Sequence, residues 1–247
     1  MIGRAFPDDP AFDVAVSRAL LERVAAGKLP ESLRLARPGA MVAFAKQDAV
    51  APGFAAAVRE ARAGGFDAVL RLAGGRAAVF HERTIALAHA LPHPEPRAGI
   101  HARFERTAHL IARALRGVGV DADVGEVSGE YCPGGYSVNA RGAVKVAGIG
   151  QRIIAGASHM GGVIVVGDAA RVRDVLIPVY EALELEWDPA TVGAVDDELG
   201  GADRAAWSAV RDAILAEYDR EYDLIESDLD GETLALARRL APEHRPG

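Results

Sequence analysis

Between Ala122 and Val166 the chain carries four strand-like stretches, residues 122–127, 137–140, 144–149 and 162–166, with no helix-length segment among them. Strands joined without crossover helices pair antiparallel, whereas a doubly wound parallel sheet needs strict βαβ alternation. That alternation is missing here. Helical patterns lie before and after the cluster, which points to an α+β fold with a mixed, largely antiparallel sheet flanked by helices. No Gly-x-Gly-x-x-Gly follows a strand and opens a helix, so a Rossmann dinucleotide site is unsupported.

The elements around the cluster follow from local signals. Asp9 and Pro10 open a helix with Phe12, Val16, Ala19, Leu20 and Val24 at helical spacing, and Gly27 and Pro30 end it. Residues 33–36 and 41–45 read as short strands. Pro52 opens a second helix, stopped by Gly64 and Gly65. Residues 67–72 and 77–81 read as a hairpin about the turn Ala73-Gly74-Gly75-Arg76, with another strand at 84–90. Pro92, Pro94 and Pro96 impose a loop before a helix at 100–116. Helices at about 170–183, 204–221 and 232–240 complete the chain, with an acidic, solvated loop at 195–201. No repeat or compositional break divides the sequence, so one main domain is expected.

At 247 residues the chain has ample length for a buried core. No apolar run approaches the ~18–20 residues of a membrane helix, and the N-terminal residues lack a signal-peptide core. A cytoplasmic protein with no membrane association is expected. A net charge of −7 argues against nucleic acid as a partner. The single cysteine excludes an internal disulfide and a Cys-rich zinc site. His89, His93, His101, His109 and His244 show no ligand spacing, so no metal centre is expected.

Three segments combine residues suited to chemistry. In the first, Gly74 and Gly75 let backbone N–H groups approach an anion, and Arg71 and Arg76 add charge; the bland reading is a plain hairpin with solvated arginines. In the second, Gly129-Glu130-Tyr131-Cys132-Pro133-Gly134-Gly135-Tyr136, a cysteine inside a Pro/Gly turn is poorly placed as a core hydrophobe. Neighbouring positive charge from His81, His159 or Lys145 turns such a thiol into a nucleophile; otherwise it is incidental. In the third, Lys145 sits on a strand with Ala143, Ala147 and Ile149, facing either solvent or a cavity. His81 and His159, each near a strand, read singly as structural histidines.

Taken together and in this order, the three segments resemble the lipoate–protein ligase A and octanoyltransferase branch of the biotin/lipoate ligase superfamily. The family pattern R-x-x-G-G-G/R-A-V-x-H-D is similar to Arg71 through Glu82, and G-x-K-x-x-G-x-x-Q-x-R is similar to Gly142 through Arg152, with one extra residue before the lysine. The stretch from Ser158 resembles the family's H-G-x-x-L-L strand. The resemblance implies a catalytic domain over residues 1–225, followed by a helical extension at 226–247 with no accessory domain. It implies protein lipoylation: attachment of an octanoyl or lipoyl group to one lysine of a 2-oxoacid dehydrogenase lipoyl domain or a glycine-cleavage H protein. Lys145 is then catalytic, with Arg71, Gly74, Gly75, Arg76, Ala77, His81, Gly148, Gln151 and His159 binding substrate. An acidic acceptor docks near Arg71, Arg76, Lys145 and Arg152.

Two chemistries share that family scaffold. A ligase activates lipoate with ATP and Mg through a lipoyl-adenylate, whereas an octanoyltransferase takes its acyl group from acyl carrier protein. In one transferase type a cysteine just before the lysine strands carries the acyl thioester, and Cys132 stands at about that place. Gly-Gly-Arg at 74–76 also resembles that type, and about 45 residues after Gly201 are too few for the ligases' extra domain. The early G-R-x-Q segment is replaced by Ala45-Lys46-Gln47-Asp48, Glu82 stands for Asp, and Ser137-Val138-Asn139 lacks the family Asp. The Cys132 position, Gly-Gly-Arg and the short C-terminal stretch favour transfer through Cys132 over an ATP-dependent ligase, while the departures from the family pattern weaken the case for ATP use and motivate a second alternative, a non-catalytic relative that binds acyl groups or carrier domains.

Overall fold

The computed structural model describes residues 1–201 and 206–247. In chain order the first elements are α1 (Pro10–Ala25), β1 (Ser32–Ala36), β2 (Met41–Phe44), α2 (Lys46–Ala49), α3 (Phe54–Ala63), β3 (Asp67–Leu70), β4 (Ala78–Phe80) and β5 (Thr84–Pro92). Then come α4 (Ile100–Gly117), β6 (Ala122–Val124), β7 (Val138–Ala140), β8 (Val144–Ile154), β9 (Ala157–Val165), α5 (Ala169–Ala182), α6 (Val195–Glu198), α7 (Trp207–Asp219) and α8 (Gly231–Leu240). The expected helix start at Arg204 lies outside the described residues.

The strands form two sheets. The larger is antiparallel throughout, in the order β1-β5-β9-β8-β7-β6, and the smaller runs β3-β2-β4. The strand-rich stretch thus supplies β6 to β9, as its lack of crossover helices requires. β8 and β9 reach well past 144–149 and 162–166 and meet near Gly156, whose φ of +84° suits glycine. Gln151, Arg152, Ser158 and His159 interrupt the apolar pattern and conceal this extension.

The expected hairpin at 67–81 is a correction. β3 and β4 do not pair; β3 lies parallel to one edge of β2, and β4 antiparallel to the other. Helix α3 carries the chain from β2 back to a parallel neighbour, so β4 must take the remaining edge. The Gly74-Gly75 segment is therefore a crossing past the end of β2. The acidic stretch at 195–201 is a second correction. It contains α6, Asp196 is buried against Arg83, and Glu198 receives two hydrogen bonds from Arg141 at 2.7 and 2.9 Å.

Helices α4 and α7 cover one face of the large sheet, packing Leu110, Ile111, Leu115 and Ile214 with Leu35, Ile85 and Ile164. Helices α3 and α5 cover the small sheet through Val58, Val172 and Leu176 against Val42, Phe44 and Val79. Helix α1, capped by Asp9 as expected, packs against α8 through Val16, Leu20 and Leu240. Among the described residues no helix is long and apolar enough to cross a membrane.

A buried ion pair ties α1 to β1. The Arg34 guanidinium donates to both Asp13 carboxylate oxygens, to Ser17 Oγ at 3.3 Å and to the Arg4 carbonyl at 2.9 Å. Asp13→Ala strands that guanidinium without its counter-charge. The expected cost is about 3–5 kcal/mol, read from urea unfolding midpoints; a loss under about 1 kcal/mol would mean that solvent already screens Arg34.

Candidate active site

A cavity of about 760 Å³ lies between the two sheets. Its floor is made by glycine-rich stretches of two strands. Gly148 and Gly150 on β8 and Gly161 and Gly162 on β9 all line it, with Gly150 facing Gly161 in the ladder. A Cβ at Gly150 would fall 3.0 Å from Ala73 Cβ and one at Gly161 2.7 Å from His159 Nε2, so glycine here lets the small-sheet loop and His159 close onto the floor. The apolar wall comes from Val14, Met41, Ala43, Ala78, Phe80 and Val163, and the cavity also reaches the Arg34–Asp13 pair. Such a volume and lining suit a small molecule with an extended apolar part.

Two loops meet at the rim. The crossing segment of the small sheet brings Arg71, Gly74 and Gly75, and the turn between β6 and β7 brings Cys132. The Arg76 N–H donates to Cys132 Sγ at 3.1 Å, and Arg71 Nη2 lies 3.5 Å from the same sulfur. This approach requires glycine at position 75: its φ is +101°, and a Cβ would fall 2.8 Å from Sγ. Gln47 donates to the Gly75 carbonyl, while Arg76 pairs with the buried Asp48 at 3.3 Å. The Ala45-Lys46-Gln47-Asp48 segment thus braces the glycine loop.

Cys132 is held in the left-handed region, φ +44°, where a non-glycine residue carries strain of roughly 1–3 kcal/mol. Its N–H donates to Tyr180 Oη at 2.9 Å, and that hydroxyl donates in turn to the Ala77 carbonyl at 2.9 Å. Burial pushes the thiol up in pKa. Arg71, Lys145 and the Arg76 N–H outweigh that effect and hold it below the ordinary thiol range.

Lys145 faces the cavity, only 2% exposed. Its ammonium donates to Glu130 Oε1 at 3.0 Å and to the carbonyls of Tyr131 and Cys132 at 3.0 and 2.8 Å, and sits 4.9 Å from the Tyr131 ring centre. An ammonium has three hydrogens, and all three are engaged. Arg71 differs: its buried Nε has no partner among the described residues. Tyr131 Oη and His159 Nδ1, on two other lining residues, are likewise without partners among the described residues, but the arginine is the one beside the Cys132 sulfur.

Of the other expected site residues, Gln151 and His159 line the cavity, with Gln151 Nε2 donating to Met160 Sδ at 2.8 Å. Arg76 contributes its backbone, and its side chain turns to Asp48. Ala77 and His81 stand outside the lining; His81 Nδ1 accepts from the Arg83 N–H at 3.2 Å, bracing the turn into β5. Burial, with Arg171 next, lowers the His81 pKa to about 4. Burial, with His89 next, does the same for His159. Of the four residues expected near a docking acceptor, Lys145 is almost fully buried, and Arg71, Arg76 and Arg152 are half-buried. Tyr180 escaped the sequence reading, and Glu130, Gln47 and Asp48 stand in its segments without a role at the site. Glu130 adjoins the Cys132 turn, but nothing local marks it as buried. Among the described residues no group of three or more His, Cys, Asp or Glu is arranged to hold a metal.

The model of the lipoyl protein ligase A/B catalytic domain matches residues 9–217, which include every element named at this site. The chain belongs to that family. Within the family it is 30% identical over 151 residues to an octanoyl-[GcvH]:protein N-octanoyltransferase of Geobacillus kaustophilus, covering 60% of this chain and 53% of that one. It is 32% identical over 151 residues to the protein of the same name from Anoxybacillus flavithermus, covering 60% and 54%. The chain thus spans about half the length of the curated relatives it matches. Its fold is that of a lipoate-protein ligase A crystallised with ATP, with TM-score 0.77 at 19% identity over 98% of this chain and 95% of that one. The α+β architecture is shared across that length.

Two outcomes follow for this member of the family. Arg71→Gln removes a charge and a contact from Cys132 Sγ, so the pH profile of iodoacetamide alkylation is expected to shift upward, slowing labelling at neutral pH; an unmoved profile would separate Arg71 from the thiol. His159 folds in its neutral form and unfolds into a histidine of ordinary basicity. The unfolded chain therefore binds the extra proton first. Stability present above pH 6.5 is lost as pH falls toward 4, by about 3 kcal/mol at that residue. Urea midpoints of His159→Gln should lack that part of the acid slope.

Proposed function

We propose that the protein is a cytoplasmic acyltransferase of protein lipoylation. It moves an octanoyl or lipoyl group from a carrier protein, through a Cys132 thioester, to one lysine of a lipoyl domain or H protein. The observation that carries this reading is Cys132 Sγ on the cavity wall, 3.1 Å from the Arg76 N–H and beside the Arg71 guanidinium. The names of the two relatives support the same chemistry.

In this reading the apolar cavity holds the acyl chain, where burying six methylenes contributes about 5 kcal/mol. The Cys132 thiolate attacks the acyl carbonyl, and negative charge develops on its oxygen. The Nε–H of Arg71, unpartnered and on the guanidinium beside the sulfur, is the donor assigned to that oxygen, while Lys145 contributes its field from a fixed position. The donor leaves as the thiol of acyl carrier protein or as the lysine amine of an octanoylated H protein. The acceptor lysine then attacks the thioester, forming the amide and restoring the Cys132 thiol. Neither step consumes ATP.

The test presents an unmodified lipoyl domain with octanoyl–acyl carrier protein, octanoylated GcvH, or octanoate plus Mg-ATP, in separate arms, and reads intact masses. Modification is expected in a carrier arm, with an acyl adduct on the protein that Cys132→Ser abolishes. Lys145→Ala should slow transfer about 100-fold or more, the scale of losing one stabilising group. Modification only with ATP, unaffected by Cys132→Ser, would replace this reading with a ligase acting through an acyl-adenylate. No modification in any arm would leave an acyl- or carrier-binding protein without turnover.

A further inference from the structure

We propose that Glu130 is the positioning residue of this site: one buried carboxylate fixes both the Lys145 ammonium and the turn that presents Cys132. The inference rests on the acyl-transfer reading and adds a residue to it.

The Glu130 side chain is wholly buried, yet it does not line the cavity. It meets four donors. Oε2 accepts from the Val127 N–H at 3.1 Å; Oε1 accepts from the Gly134 N–H at 3.1 Å, from Ser137 Oγ and from Lys145 Nζ at 3.0 Å. Val127 precedes Cys132 in the turn, Gly134 and Ser137 follow it, and Lys145 comes from β8. A single group therefore clamps both sides of the turn and anchors it to the neighbouring strand. Left-handed backbone at a non-glycine residue persists only where its surroundings over-determine it. Here the Glu130 clamp supplies that restraint from inside, and the Tyr180 hydroxyl supplies it from α5.

Charge leads to the same residue. Facing the Lys145 ammonium are the Glu130 carboxylate, the carbonyls of Tyr131 and Cys132, the Tyr131 ring and the Cys132 thiol, with the Arg71 guanidinium beyond the sulfur. Glu130 is the permanent counter-charge in that set. Without it, the buried ammonium loses the anchor that holds it against the turn, and Cys132 loses one of the charges that favour its thiolate. Since Glu130 does not touch the cavity, it acts through Lys145 and the turn rather than on substrate.

Glu130→Gln keeps the shape and removes the charge. Its iodoacetamide profile at Cys132 is expected to move up by about one pH unit or more. Octanoyl transfer should lose about ten-fold or more in kcat, with KM for the acyl carrier little changed. Lys145→Met should shift the thiol profile similarly, and the double variant no further, because the two substitutions remove one interaction. An unmoved profile in Glu130→Gln, or additive shifts in the double variant, overturns the proposal.

Glu130→Asp guards against a folding failure: it keeps the charge and shortens the reach. It should retain the parent thiol profile while kcat falls, and parent-like kcat there overturns the positioning role. The thiol readout needs no acyl donor. A parent protein that transfers nothing, paired with a shifted Glu130→Gln profile, therefore defeats the acyl-transfer reading and leaves the role of Glu130 standing.

Discussion

An ammonium group sealed into an apolar cavity sets the terms for everything around it. Lys145 is almost fully buried, and a cation in such a place must be met by acceptors or it will not stay charged. The fold meets it with a carboxylate, two main-chain carbonyls and an aromatic face, all from one turn between β6 and β7. That turn must wrap tightly to present so many acceptors to one nitrogen. Its apex is Cys132, which is thereby delivered to the glycine loop of the other sheet. Cation, turn and sulfur form one mechanical unit.

Both sheets are needed for this unit to face a ligand. The large sheet supplies Lys145 and a floor of glycines; the small sheet supplies Arg71 and the close backbone at Gly75 and Arg76. The two are packed by different helices, α4 and α7 on one and α3 and α5 on the other. Helix α5 also bridges them, since Tyr180 holds the Cys132 N–H and the Ala77 carbonyl together. The family match across residues 9–217 takes in both halves of this arrangement.

Much of the fold was legible along the chain, because caps, breakers and hydrophobic spacing are local. Asp9, Pro10 and Gly27 bound α1, and the strands without crossover helices announce an antiparallel sheet. Strand pairing was less legible. Residues on either side of Gly74-Gly75 look like hairpin partners, yet β2 lies between them, a choice made by the distant crossover through α3. At the site, Arg71, Gly74, Gly75, Cys132, Lys145, Gly148, Gln151 and His159 share one cavity, whereas His81 serves a neighbouring turn. Glu130 was hidden for a plain reason. An acidic residue in a Pro/Gly-rich turn has the composition of solvated loop, and only the way the turn folds back onto β8 places it against Lys145.

The tightness at Gly75 has a stereochemical consequence. One side of the Cys132 sulfur is walled off by main chain, so close that even a methyl group at residue 75 would collide with it. A substituent on that sulfur therefore has the cavity as its open direction. In the proposed acyl transfer, whatever the sulfur carries is stored inward, and a recipient amine has to reach in to collect it. That geometry favours a slender lysine on an exposed turn over an amine set flat on a protein surface.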